Sequence, residues 1–225
     1  MGRWVTSEER DRAAINFYNA LCDLQSALTG TTELISLRGS LGLQYGKGGR
    51  PGVSAHYVPA LRKLSLAKNA GAGSLAHEWF HAFDHYMGDK MFPIADDQAF
   101  ASKLWLNDYP SGKHPLNALL GECFAAIMLT ADGSQPSDLF IASRDTDDRL
   151  GVLYYSRPEE MCARAFEAYI EDTVPRNKFL VRGSLQSDEA KLGLYPKGQQ
   201  RLIINEMFQQ YFGMLGAALK RESSV

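Results

Sequence analysis

The sequence predicts an α+β domain with a small sheet in its N-terminal half and a mostly helical C-terminal half. Two observations support this class. Segments of β type occur only between residues 33 and 67, and longer segments with helical periodicity of apolar residues precede and follow them. We find no repeat and no linker in the sequence, so we treat residues 1–225 as a single domain, with an N-terminal helix at about 6–29 and a core at about 32–220.

The first helix is predicted by its two ends. Thr6 and Glu9 have the spacing of a capping box, apolar residues then recur at helical spacing as far as Leu28, and Gly30 ends the pattern.

Three strands are predicted next, at residues 33–43, 53–58 and 61–67, with a glycine-rich loop at 46–52 between the first two. In the third strand Leu64 and Leu66 alternate with polar residues, which is typical of a strand with one covered face. We expect this third strand to form the sheet edge on which an extended substrate peptide lies.

A buried helix is predicted from Leu75 to about Met87, after a tight turn at residues 69–73 and with Ser74 as its N-cap. Further helices and two exposed loops follow in the second half. We place the helices at about 96–106, 116–131, 158–172 and 198–220, and the loops at 132–136 and 143–149.

Charge and composition exclude several classes of partner. With 24 basic and 26 acidic residues, the formal net charge is -2, which gives no reason to expect nucleic acid or an anionic membrane as a partner. No segment has the length and apolarity of a membrane span, and the N-terminus is unlike a signal peptide, so we expect a cytoplasmic location. Cys22, Cys123 and Cys162 are far apart in sequence, and we expect reduced thiols in the core.

The candidate chemistry lies in one helical turn. His77 and His81 have the HExxH spacing, which places two imidazoles on one helix face where both can bind one zinc ion. Glu78 follows the first histidine, in the position of a general base for a metal-bound water. Three of the five histidines of the chain fall within residues 77–85, which strengthens the hypothesis of a metal site.

A catalytic zinc site needs a third protein ligand, and several residues are candidates. His85 is disfavoured because an unbroken helix places it about 12 Å along the axis from His77. Asp84 is better explained as a structural carboxylate. The strongest candidate is Glu160, near the start of the later helix, with its neighbour Glu159 as an alternative.

The later helix also carries residues that could support such a site. Glu167 lies on the same face as Glu160 and could hold the second nitrogen of a ligand histidine, and Arg164 could balance the carboxylate charge. An ordinary amphipathic helix with Glu–Arg pairs explains the same pattern without any metal.

These two motifs together resemble a gluzincin-type zinc metallopeptidase. They are similar to the catalytic domain of anthrax lethal factor and, more closely, to the first type of large polyvalent protein-associated domain, which occurs in proteins of phages and mobile elements. The segments that carry the closer resemblance are residues 54–57, 64–66, 71–79, 156–160, 163–167 and 195–198.

The resemblance implies a zincin-like fold, with His77, His81 and Glu160 as zinc ligands and Glu78 as the general base. It also implies that a tyrosine shortly before the ligand Glu stabilises the oxyanion, for which Tyr154 and Tyr155 are the candidates. The implied activity is zinc-dependent hydrolysis of a protein or peptide substrate. Two other classes stay open: a zincin-like module that binds a host protein without catalysis, and a purely structural metal or none.

Overall fold

A three-stranded sheet and nine α-helices make up the part of the chain that the computed structural model describes, residues 6–46, 55–66, 73–93, 99–174 and 177–224. The α+β class is therefore confirmed. In chain order the elements are α1 (Ser7–Ala27), α2 (Thr32–Ile35), β1 (Gly42–Tyr45), β2 (Ala55–Val58), β3 (Lys63–Leu66), α3 (Leu75–Met91), α4 (Ala101–Leu106), α5 (Pro115–Met128), α6 (Asp138–Leu150), α7 (Pro158–Thr173), α8 (Asp188–Lys191) and α9 (Gly198–Glu222).

The sheet has the strand order β1-β3-β2. A short 3-10 turn at Pro59–Leu61, followed by Arg62 in the left-handed region, turns the chain so that β2 and β3 pair antiparallel. Strand β1 pairs with the other side of β3 in parallel. The expectation that residues 61–67 form the sheet edge is therefore wrong, because β3 is paired on both sides, and β2 is an edge of the described sheet.

Helix α3 packs against α7, and aromatic side chains fill the contact. Trp79 is fully buried, stacks on Phe83 and Phe166 with ring centroids 5.5 Å apart in each case, and donates its indole N–H to the carbonyl of Ile35. This cluster accounts for why the motif helix is apolar on most of its faces.

The predicted strand at residues 33–43 is wrong over most of its length. Thr31 caps the short helix α2, because its side chain accepts a hydrogen bond from Leu34 N–H. Leu37 and Arg38 then adopt positive φ values of 49° and 56°, which an extended strand does not allow. Only the last two residues of the predicted range belong to β1.

The loop predicted at residues 143–149 is also wrong, since these residues lie inside α6. Ser137 caps the start of this helix by accepting a hydrogen bond from Phe140 N–H, and Gly151 ends it in the left-handed conformation. The polar residues that suggested a loop include Ser143 and Asp147, which are buried and hydrogen-bonded to neighbouring segments.

The other predicted elements agree with the structure apart from their ends. Helix α3 continues to Met91, four residues beyond the predicted end, and Ser74 is its N-cap residue without a side-chain cap bond. The glycine-rich loop and the turn at 69–73 fall largely outside the described residues. Of the helix predicted at 96–106, residues 96–98 also lie outside them, and α4 begins later than predicted, at Ala101. Cys123 and Cys162 are buried thiols, but Cys22 is exposed, which corrects its assignment to the core. No described helix is both long enough and apolar enough to span a membrane.

Gly88 lets α3 approach the chain that leads into α4, and its replacement tests this packing. A Cβ atom at position 88 would lie 2.2 Å from the carbonyl oxygen of Ala99. We predict that Gly88→Ala lowers the free energy of unfolding by about 1–3 kcal/mol through this clash. Gly213→Ala is the matched control, because its Cβ would meet nothing within 4 Å, and it should raise stability by up to about 1 kcal/mol. Urea unfolding measures both; equal effects of the two substitutions would contradict the packing described.

Candidate metal centre

Two imidazoles of α3 face each other across one helical turn. The Nε2 atoms of His77 and His81 lie 3.1 Å apart, and the ring planes are nearly perpendicular. Helix geometry alone produces this juxtaposition, because residues four apart lie on the same face. Both rings are largely withdrawn from solvent, with side-chain exposures of 16% and 10%.

Helix α7 brings the third group to this pair. The Glu160 carboxylate faces both rings, with Oε2 3.4 Å from His77 Nε2 and Oε1 3.5 Å from His81 Nε2. His77, His81 and Glu160 form the one cluster among the described residues whose donor atoms could hold a metal ion. Of the candidates for a third ligand, the structure thus brings Glu160 to the histidines.

The spacing of these donors fits a divalent ion. Tetrahedral ligands about 2.1 Å from a zinc ion lie about 3.4 Å from one another, which is close to the separations of 3.1, 3.4 and 3.5 Å in this cluster. Glu160 Oε2 is buried and has no hydrogen-bond partner in the described residues. Its nearest imidazole nitrogen, at 3.4 Å, makes a charge contact without hydrogen-bond geometry, and a bound cation would satisfy this oxygen more fully.

The charges of the cluster also favour a cation. Burial opposes protonation of His77, but the facing carboxylates of Glu160 and Glu167 outweigh it and raise its pKa to about 10. Burial and the charge on His77 lower the pKa of His81 to about 3. Burial acts to raise the pKa of Glu160, but the two histidines lower it to about 2. In the metal-free chain one proton therefore stays on the imidazole pair, and a metal ion must displace it.

Glu167 and Tyr195 support the first histidine from behind. Glu167 Oε2 lies 3.6 Å from His77 Nδ1, and the Tyr195 hydroxyl donates a hydrogen bond of 2.8 Å to the same oxygen. A carboxylate on the second ring nitrogen orients an imidazole and makes it a stronger ligand. The structure thus places Glu167 where its helical position suggested.

The side chain of Glu78 extends from α3 to the sheet. Its Oε2 accepts a hydrogen bond of 2.7 Å from the backbone N–H of Tyr57 in β2, and burial raises the pKa of its carboxyl group. The structure has no hydrogen bond to its Oε1 from the described residues. One oxygen of Glu78 is thus fixed by the edge strand, and the other can accept a proton.

The two candidate tyrosines differ in their surroundings. Tyr154 is 43% exposed as a whole residue, but partial burial of its phenol and the interaction with the neighbouring Glu160 carboxylate raise its pKa above the usual range. The Tyr155 ring instead lies against the guanidinium group of Arg164, and its carbonyl accepts a hydrogen bond of 2.5 Å from Arg164. Tyr154 is therefore the better placed of the two to act at the site.

The remaining acidic and imidazole groups of α3 have structural partners. Asp84 is fully buried and accepts hydrogen bonds from the N–H and hydroxyl of Ser102 at 2.8 and 2.5 Å, and burial raises its pKa to about 7. His85 Nδ1 lies 2.8 Å from the Tyr57 hydroxyl. Tyr57 thus contacts both His85 and Glu78, and it holds the edge strand on the motif helix.

Asp147 was missed by the sequence analysis, which placed it in an exposed loop. Its carboxylate accepts hydrogen bonds from the backbone N–H groups of Tyr154, Tyr155 and Ser156 and from the Ser156 hydroxyl. A polar run such as residues 143–149 gives no signal for this role, because the same residues on an exposed helix would look identical in sequence.

Comparison with known families gives one match. The model of the family large polyvalent protein-associated domain 1 matches residues 146–219. This stretch is similar to that family and contains Glu160, Glu167, Tyr154 and Asp147, but it leaves out the HExxH helix. No curated protein and no solved structure matches the chain significantly.

Glu160 and Glu159 offer a test of the ligand set, because they are adjacent and chemically identical. We predict that Glu160→Gln weakens zinc binding by about 100-fold or more, since a neutral amide is a poor zinc ligand. Glu159→Gln should change the affinity by less than about threefold. Competition with a chelating zinc indicator measures both affinities. Equal affinities for the two variants would remove Glu160 from the site.

Proposed function

We propose that this chain is a zinc-dependent metallopeptidase with a zincin-like fold, which hydrolyses a protein or peptide substrate. The observation that carries the proposal is the convergence of Glu160 from α7 with His77 and His81 from α3, at separations that suit a tetrahedral ion. Three protein ligands leave a fourth position for water, which is the arrangement of catalytic zinc sites.

Zinc held by His77, His81 and Glu160 would supply Lewis-acid chemistry, since it would lower the pKa of a bound water toward 7 and polarise a carbonyl group. Glu78 supplies the acid–base chemistry beside it. Its carboxylate accepts the proton of the attacking water at Oε1 and returns it to the leaving amine, while Tyr57 N–H holds Oε2 in place.

Tyr154 is the proposed donor to the oxyanion. A phenol is protonated at neutral pH, and the interaction of Tyr154 with the ligand Glu160 raises its pKa further. A protonated hydroxyl group in this position stabilises the negative charge that develops on the carbonyl oxygen.

The proposed substrate path follows β2 and replaces the path along β3. Tyr57 N–H points to Glu78 and does not bond to β3, so the outer edge of β2 faces the general base. An extended peptide that pairs with this edge would place its carbonyl groups next to Glu78.

The biological setting is also a proposal. Similarity to large polyvalent protein-associated domain 1 over residues 146–219 supports an association with phages or mobile elements. The matching stretch holds the second half of the proposed site.

The activity is tested by Glu78→Gln, which keeps an oxygen acceptor for Tyr57 N–H but removes the base. We expect the variant to bind zinc like the wild type and to lose about 10²–10⁴-fold in kcat. The measurement compares new protein N-termini in a bacterial lysate treated with zinc-loaded wild-type or variant protein, followed by kinetics on the cleaved sequence.

Glu122→Gln is the matched control, because Glu122 is exposed on α5, and it should cleave like the wild type. The proposal fails if the wild type generates no chelator-sensitive N-termini, or if Glu78→Gln generates the same ones.

A further inference from the structure

The segment between α6 and α7 is held by one buried carboxylate. Asp147 Oδ1 accepts hydrogen bonds from the N–H groups of Tyr154 and Tyr155 at 3.0 and 2.8 Å. Asp147 Oδ2 accepts from the N–H and hydroxyl of Ser156 at 2.8 and 2.6 Å. One side chain therefore fixes three successive backbone N–H groups just before the helix that carries Glu160.

Apolar packing does little to fix this segment. Val152 and Leu153 are 47% and 68% exposed, so their burial contributes little to holding the chain in place. Hydrogen bonds, those to Asp147 among them, therefore offset much of the conformational entropy lost on ordering, which is about 1–2 kcal/mol for each backbone residue.

A second buried side chain, Arg164, holds the same segment as a hydrogen-bond donor, whereas Asp147 holds it as an acceptor. Arg164 is 4% exposed and donates a hydrogen bond to the carbonyl of Tyr155, while its Nε donates to the carbonyl of Leu194. Asp147 thus binds the N–H groups of the segment and Arg164 binds a carbonyl. Such paired restraint of a short exposed segment sets the direction in which its side chains leave the backbone.

We propose that Asp147 is a positioning residue of this site, which acts through Tyr154 by fixing the backbone from which the phenol reaches toward Glu160. The inference rests on the proposed function, in which Tyr154 donates to the oxyanion. In this role Asp147 acts through the backbone of residues 154–156, to which it is hydrogen-bonded. A displacement of about 1 Å in a catalytic group can cost about 10²-fold in rate.

Asp147→Asn tests the proposal, because the amide keeps one acceptor oxygen but replaces the other with an NH2 group. That group cannot accept a hydrogen bond from a backbone N–H group of residues 154–156. We expect kcat to fall about 10- to 100-fold with KM and zinc affinity nearly unchanged. Asp148→Asn, an exposed aspartate one residue further along α6, is the matched control and should leave all three quantities unchanged. If Asp147→Asn fails to fold, Ser156→Ala removes the one hydroxyl donor and should give a smaller fall in kcat.

A double-mutant cycle separates positioning from a merely structural role. In the Tyr154→Phe background, Asp147→Asn should cost little further kcat, because the hydroxyl group that Asp147 positions is already absent. An equal loss in both backgrounds, or an unchanged kcat in Asp147→Asn, would overturn the proposal.

A readout without catalysis keeps this inference distinct from the proposed function. With 3-fluorotyrosine at position 154, the fluorine NMR signal should shift or broaden in Asp147→Asn and not in Asp148→Asn. An unchanged signal would overturn the positioning role even in an active enzyme. If instead no protein shows cleavage but the signal moves as expected, the peptidase proposal fails while the placement of Tyr154 by Asp147 stands.

Discussion

The packing of α3 against α7 is the contact on which the candidate site depends. Trp79 and Phe166 stack at its centre, and both are fully buried. Each aromatic residue lies close in sequence to a polar group of the site, so the same contact that buries the rings also carries Glu160 to His77 and His81. The hydrophobic core thus sets the separation of the donor atoms, and a rigid core keeps it within the narrow range that a metal ion requires.

Buried charge is the second constraint. Glu160 and Glu167 of α7 lie close to His77 of α3 in a region with little solvent. Glu78, which follows His77 in α3, adds a third buried carboxyl group. Such a group of carboxylates is costly to bury unless protons or a cation balance it. In the metal-free chain the proton on His77 provides part of this balance. A divalent ion would provide it more completely, which is why the electrostatics and the donor spacing point to the same ligand.

Helical periodicity and helix-start signals in the sequence predicted the features of the site that depend on one helix alone. The pairing of His77 with His81 follows from helical periodicity, and the start of α7 follows from Pro158. These sequence signals did not predict the order of the strands, because strand pairing is decided by tertiary contacts. They did not predict the helix over residues 143–149 either, because tertiary contacts also decide which polar side chains are buried. Asp147 illustrates the second case: its partners lie seven to nine residues further along the chain, across the end of a helix, at a spacing that no local motif describes.

Anomalous scattering at the zinc absorption edge, from crystals of the zinc-loaded protein, tests the central claim most directly. The expected result is one peak bonded to His77 Nε2, His81 Nε2 and a Glu160 oxygen at about 2.1 Å, with no fourth protein ligand. A peak that Glu160 does not ligate, or zinc-loaded crystals without a peak between α3 and α7, would contradict it.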